Sequence, residues 1–352
     1  MESLKSARRW PLPDWMLPWP EEIALLAVAA VAALACWSTG TGFSINRVVL
    51  GYEPMFGANF ILILVAARTV QVWRRNHPSA SAWHNGLDLQ SDVTLMRVTV
   101  FLFAYITVYT NIKTRIPVFN PAVHDYALHQ FERTLLGGFD VVEAARGLRE
   151  SPSVAHALDR MYRHDYIFMT LMALYLHLQS GPRHVRHLFT SMAVLYLAGI
   201  TVSAVWPTWG PCFFVRDQYT WMKSMGIDCW GAQEGLLKSW QESVAAGAAH
   251  RELGTKSFTG IAAFPSLHVG HCMLLCGFAW HYERRMLLLM VPITLLTWLA
   301  TLTFGWHYLS DGLGVIPLAA FAWAVSRRLV FGAEPVGLRD PMPGGGAEPS
   351  AE

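Results

Sequence analysis

Apolar residues fall into eight runs separated by short polar or basic stretches. The runs are Ile23–Trp37, Met55–Trp73, Leu95–Ile112, Tyr166–Gln179, Leu188–Trp206, Ser266–Trp280, Met286–Gly305 and Leu309–Val325. A helix that crosses a bilayer needs about 20 mostly apolar residues, so each run predicts a spanning helix, with the fourth and sixth short on strict apolar count. Two longer connections interrupt the series, Lys113–Asp165 and Pro207–Pro265. In the first, Asn120-Pro121 opens and Gly137-Gly138 closes a stretch, Asp125–Leu136, whose Leu128, Phe131 and Leu135 recur at helical spacing. That pattern predicts a short helix on the outer surface. In the second, Pro207, Gly210 and Pro211 precede another expected surface helix over Gln233–His250.

Composition agrees with this pattern. Hydrophobic residues make up 53% of the 352 residues and charged ones 15%. A soluble protein carries about 25% charged residues, so this chain has too little polar surface to cover a globule in water. The expected architecture is an all-α, polytopic membrane bundle. Residues 1–94 supply a cytoplasmic segment and two extra transmembrane helices, 95–331 the main membrane domain, and 332–352 a Pro-, Gly- and acid-rich tail expected to be disordered. A net charge of +2 gives no sign of a nucleic-acid partner.

The basic residues set an orientation. Lys5, Arg8, Arg9, Arg74, Arg75, Arg183, Arg186, Arg284, Arg285, Arg327 and Arg328 all fall on one side if the eight runs all span. The positive-inside rule makes that side cytoplasmic and puts both chain ends there. The Pro-rich stretch Trp10–Pro20 parts the basic start from the first run, which reads as an anchor and not a cleaved signal. Cys212 and Cys229 fall on the opposite side, where either a disulfide or two free thiols is chemically reasonable. The short ends and the absence of targeting signals suggest a bacterial plasma membrane.

Most of the fourteen histidines sit in polar loops. His77, His84, His184 and His187 read as solvated. His268 and His307 differ. His268 lies in Phe264-Pro265-Ser266-Leu267-His268, where a helix begins; a helix N-terminus offers unpaired N–H donors and a dipole to an anion. His307 and Asp311 are four apart and would share a helical face, so the carboxylate can fix the imidazole tautomer. The topology brings both segments to the extracytoplasmic membrane rim, a wet boundary. Two imidazoles and a carboxylate there suit attack on a phosphate ester, one His as nucleophile and the other as acid to the leaving alkoxide. Two other readings use the same residues. In one, His268, His271, His307 and Asp311 are the ligands of zinc in a membrane hydrolase. A transporter with gating histidines is the third, although the span centres carry few charges, with His177 and Arg97 as the main exceptions.

The motifs resemble those of the type 2 phosphatidic acid phosphatase superfamily, whose patterns are KxxxxxxRP, PSGH and SRxxxxxHxxxD. Here these fall on Lys113 with Asn120-Pro121, on Pro265-Ser266-Leu267-His268, and on His307 with Asp311. Both motif arginines are missing, Ala300 and Thr301 stand where Ser and Arg would be, and Leu267 replaces Gly. FPSLH, HYxxD and Ile116-Pro117-Val118-Phe119-Asn120-Pro121 are similar to the inositolphosphotransferase-like branch, which includes the aureobasidin-resistance proteins and inositol phosphorylceramide synthases. The resemblance implies a lipid phosphatase or phosphotransferase that needs neither metal nor cofactor. His307 would become phosphorylated, Asp311 would orient it, and His268 would act as acid and then base. Lys113 and Ser266 would contact the phosphate, with Arg115 or Arg216 in place of the lost arginines. The partners implied are the membrane, a lipid phosphate and, for transfer, an alcohol such as inositol.

Overall fold

The computed structural model describes residues 17–43, 69, 89–149, 151–246 and 260–333. The described residues are helical, in the order α1 (Pro20–Ser38), α2 (Leu89–Lys113), α3 (Asp125–Leu135), α4 (Pro152–His164), α5 (Ile167–Gln179), α6 (Pro182–Val205), α7 (Asp228–Ala246), α8 (Leu267–Tyr282), α9 (Leu287–Thr303) and α10 (Leu309–Phe331). Proline opens α1, α4 and α6, where its missing N–H costs nothing. Pro292 and Pro317 lie inside α9 and α10. Neighbouring helices in a bundle can absorb such breaks. The expected second span, Met55–Trp73, lies outside the described residues apart from Thr69, as do Lys5, Arg8, Arg9, Arg74, Arg75, His77, His84 and nearly all of the tail.

Five described helices are long and apolar enough to cross a membrane: Pro20–Ser38, Val93–Lys113, Pro182–Val205, Arg284–Thr303 and Leu309–Phe331. Two expected spans are shorter. The helix α5 has 13 residues and α8 has 16, or about 20 and 24 Å at 1.5 Å per residue. Their starts are recessed. A Cβ on Gly199 of α6 would lie 2.5 Å from Leu267, so α8 begins beside a residue six positions before the end of α6. That places its N-terminus about 9 Å short of the end of α6.

The short basic segments around Arg97, Arg183 and Arg186 gather at the other end. Arg186 pairs with Glu21, Arg97 with Glu22, and both guanidinium groups lie over Trp19. Arg183 donates to the Val330 carbonyl at 3.2 Å. His184 and His187, expected to be solvated, are instead buried at 1% and 0% exposure, packed among Phe278, Tyr282, Trp323 and Phe331. On a helix that starts at Pro182 both rings turn inward to fill the bundle.

The two long connections fold over the recessed end as a cap with its own core, including Leu158, Tyr162, Phe213, Tyr219, Met222, Ile227 and Phe304. The expected surface helices form as α3 and α7. Gly137 and Gly138, at φ of +62° and +91°, end α3 in a conformation that L side chains rarely adopt. Cys212 and Cys229 are buried free thiols, and burial pushes both upward in pKa. Trp306 Nε1 donates to Cys229 Sγ at 3.4 Å.

Candidate active site

Asp311 stands in the first turn of α10, while His307 lies just before that helix. The pair therefore meets through a helix-start geometry and not across a helical face. His307 Nδ1 is 3.1 Å from Asp311 Oδ2, which also accepts the Tyr308 N–H at 2.9 Å. A carboxylate held this way takes the proton-bearing Nδ1 and leaves Nε2 of His307 as the basic atom. Asp311 is fully buried and His307 is 7% exposed. The carboxylate is thus not on a wet rim, as the sequence suggested, but in a dry place beneath it. The reason is the recess: the Ser266 N–H donates to the Asp311 carbonyl at 3.1 Å, which ties the start of α8 to the first turn of α10.

His268 occupies the first turn of α8, half-buried in an aromatic box. Its ring centroid is 4.5 Å from that of Tyr162, 5.4 Å from Tyr166 and 6.0 Å from His271. Tyr162 Oη lies 3.4 Å from His268 Nδ1. His307 and Lys113 both lie close enough to act electrostatically on His268. Tyr162 lies between His268 and Trp306, with centroids 4.5 and 5.9 Å away, which brings His268 near the segment that carries His307; Lys113 ends α2 within electrostatic range.

The other sequence candidates lie differently. Ser266 caps α8, its hydroxyl accepting from the Val269 N–H at 3.5 Å, and it is fully buried. Arg115 is fully buried and donates back to the Asn111 carbonyl at 3.0 Å; the group it feels is Cys36 of α1. Arg216 is paired with Glu234, bonded to Gln233 at 3.0 Å and stacked 3.7 Å over Trp230. Among the described residues no hydrogen bond or ion pair links either arginine to the histidines. Ala300 and Thr301 are buried, and the Thr301 hydroxyl is used by the Trp298 carbonyl of its own helix.

Sequence reasoning passed over two buried acids that build this site and a third that lies beside His271. Asp125 of α3 accepts from Trp209 N at 2.7 Å, Gly210 N at 2.8 Å and Tyr308 Oη at 3.1 Å. Burial raises its carboxyl above the usual range, and these bonds oppose the rise. Glu132 of α3 accepts the Ser310 N–H at 2.6 Å. One helix of the cap thus holds the residues on either side of Leu309. Asp165, between α4 and α5, is fully buried below His268. The acidic residues of α3 looked like the wet face of a surface helix, so periodicity alone gave no signal for them.

The model of the PAP2 superfamily matches residues 126–325, more than half of the chain and inclusive of His268, His307 and Asp311. The chain belongs to the PAP2 superfamily. Searches of curated proteins and of solved structures gave no match. Membership and the long apolar helices together make this a multi-pass membrane protein of phosphatase type. The match begins beyond Lys113 and Asn120-Pro121, so those residues stand on their placement alone.

Proposed function

We propose that this PAP2 protein is a lipid phosphatase or phosphotransferase working through a phosphohistidine at the extracytoplasmic face of a plasma membrane. The observation that carries the reading is the buried His307–Asp311 bond beside His268. His307 Nε2 attacks phosphorus and the bond to the lipid alkoxide breaks. Asp311 holds the Nδ1 proton and offsets the positive charge that grows on the ring. A Tyr162 hydroxyl donated to His268 Nδ1 leaves the proton of a neutral His268 on Nε2. That proton goes to the leaving alkoxide, and the same nitrogen then takes one from the incoming water or alcohol. Lys113 and the N-terminal dipole of α8 stabilise the phosphate oxygens, with Ser266 fixing that helix start.

The side follows from charge. The basic loops and the histidines lie at opposite ends of the bundle, so a cytoplasmic basic end puts the chemistry outside. The recess gives a headgroup a place about 9 Å short of the end of α6 while its acyl chains stay beside the bundle. Water as acceptor makes a phosphatase and an alcohol makes a transferase; the FPSLH and HYxxD segments favour transfer to a polyol such as inositol. No metal or cofactor enters these steps. The test is purified protein with a panel of phospholipids, with and without inositol, followed by lipid mass spectrometry. Inositol-dependent transfer product supports the finer reading. Free phosphate monoester regardless of inositol leaves a phosphatase. Turnover of no lipid phosphate, by protein that is well folded, refutes both.

A further inference from the structure

Just below His268, three side chains that the proposed reaction does not use converge. Asp165, His271 and Cys272 are 0%, 0% and 1% exposed, and their ligand atoms all lie within 4.8 Å of one another. His271 Nε2 is 3.6 Å from Asp165 Oδ2 and 3.5 Å from Cys272 Sγ. Both oxygens of Asp165 are buried with no hydrogen-bond partner. A carboxylate in that state is unstable unless something neutralises it.

The surroundings bear on what that something is. His271 Nδ1 is 3.2 Å from the Leu267 carbonyl, which makes Nδ1 the protonated nitrogen and aims the Nε2 lone pair at the other two groups. A backbone carbonyl holding the far N–H is the usual support of a metal-bound imidazole. Cys272 Sγ lies 3.8 Å from Thr297 Oγ1, to which its thiol donates. Zinc takes nitrogen at about 2.0–2.1 Å and sulfur at about 2.3 Å, so adjacent ligands of a tetrahedral site stand roughly 3.4–3.6 Å apart. The two contacts of His271 Nε2 have that spacing. A carboxylate binding through both oxygens fills the remaining positions. One carboxylate, one thiolate and a divalent ion sum to zero charge, as a dry interior requires.

We propose that Asp165, His271 and Cys272 form a closed structural site for a zinc-like divalent ion, which locks the α4–α5 corner to α8 directly beneath His268. Binding releases the thiol proton of Cys272 and any proton on Asp165 to solvent; no electron moves. The enclosed ion does not touch the lipid phosphate. The inference does not depend on the reaction assigned above.

The test is metal analysis of the full-length protein, purified in mild detergent without chelator and then dialysed against micromolar zinc. We expect about one zinc per chain, and a loss of at least fivefold in bound metal for Cys272→Ser and His271→Ala. Replacement by cobalt should give a thiolate-to-cobalt charge-transfer band that Cys272→Ser abolishes. His307→Ala, which removes the proposed nucleophile, should keep its zinc, and this separates the failure of one proposal from the failure of the other. If a variant does not fold, wild-type stoichiometry and the cobalt band decide alone. Wild-type protein that neither carries nor takes up zinc overturns the site, leaving a protonated Asp165 that donates to His271. Zinc lost in His307→Ala but kept in Cys272→Ser overturns it too, by moving the ion to the catalytic histidines.

Discussion

Replacing Asp311 by Asn separates the chemistry of the His–Asp pair from its shape. The side chain keeps its size, and its one carbonyl oxygen can still accept the Tyr308 N–H, now 2.9 Å from Oδ2. The new NH2 then occupies the place of Oδ1, a fully buried atom with no hydrogen-bond partner. An unsatisfied buried donor costs about 1–3 kcal/mol. The melting temperature should fall by several degrees, at roughly 2–4 °C per kcal/mol for a domain of 150–250 residues. The rate should fall further. A hydrogen bond to a charged group is worth about 1.5–3 kcal/mol, and each 1.36 kcal/mol is a decade in rate, so lost charge alone gives roughly 10- to 200-fold. If the amide flips, its NH2 faces His307 Nδ1 and favours the wrong tautomer; a comparable change in a serine hydrolase triad costs about ten-thousand-fold. The expected loss in kcat lies between about 10 and 10⁴, with a smaller change in KM, because the carboxylate acts as charge builds on the imidazole. The assay is headgroup release from lipid in mixed micelles, with a thermal melt on the same sample. Near-normal kcat in Asp311→Asn would refute the orienting role.

Further perturbations probe other parts of the account. Gly314→Ala puts a methyl 2.6 Å from the Phe264 ring, which should shift the Pro265–His268 segment and lower kcat by about 10²-fold, since misplacement near 1 Å has that effect; unchanged kinetics would show that the segment is not positioned by α10. Asp125→Asn should flatten part of the stability–pH curve. The folded carboxyl is raised by burial, so its favourable contribution is present at low pH and lost as pH climbs from its ordinary value of 3.8 through the raised one; equal curves for both proteins between these limits would contradict this. Cysteine at Gly147, exposed with open space around it, should react with an impermeant maleimide in whole cells, while cysteine at Arg285 should react only after lysis. The reverse pattern would turn the molecule over.

Fold class was legible because burial in a bilayer demands long apolar runs, and those runs survive in any single sequence. The limits of α3 were equally legible, since Gly137 and Gly138 are needed at positive φ where the helix stops. His307, Asp311 and His268 stood out by residue type and spacing. Other features arise from packing between distant segments. The shortness of α5 and α8 was visible in their runs, but the recess that the cap fills, which lets such short helices serve, is recorded by no local pattern. Arg115 and Arg216 looked available for a phosphate, but the first folds back on its own helix and the second on Glu234. His184 and His187 looked solvated in a basic loop, yet α6 starts so early that both rings turn into the bundle.

The nucleophile itself is the central claim, and a covalent intermediate is its most direct trace. Purified protein would be mixed with a reactive phospholipid for one turnover, quenched in alkali to preserve phosphohistidine, digested and mapped by mass spectrometry. Phosphate is expected on His307, absent in His307→Ala and longer-lived in His268→Ala, where no base activates the acceptor. Phosphate on His268, or turnover by His307→Ala at the wild-type rate, would contradict the claim.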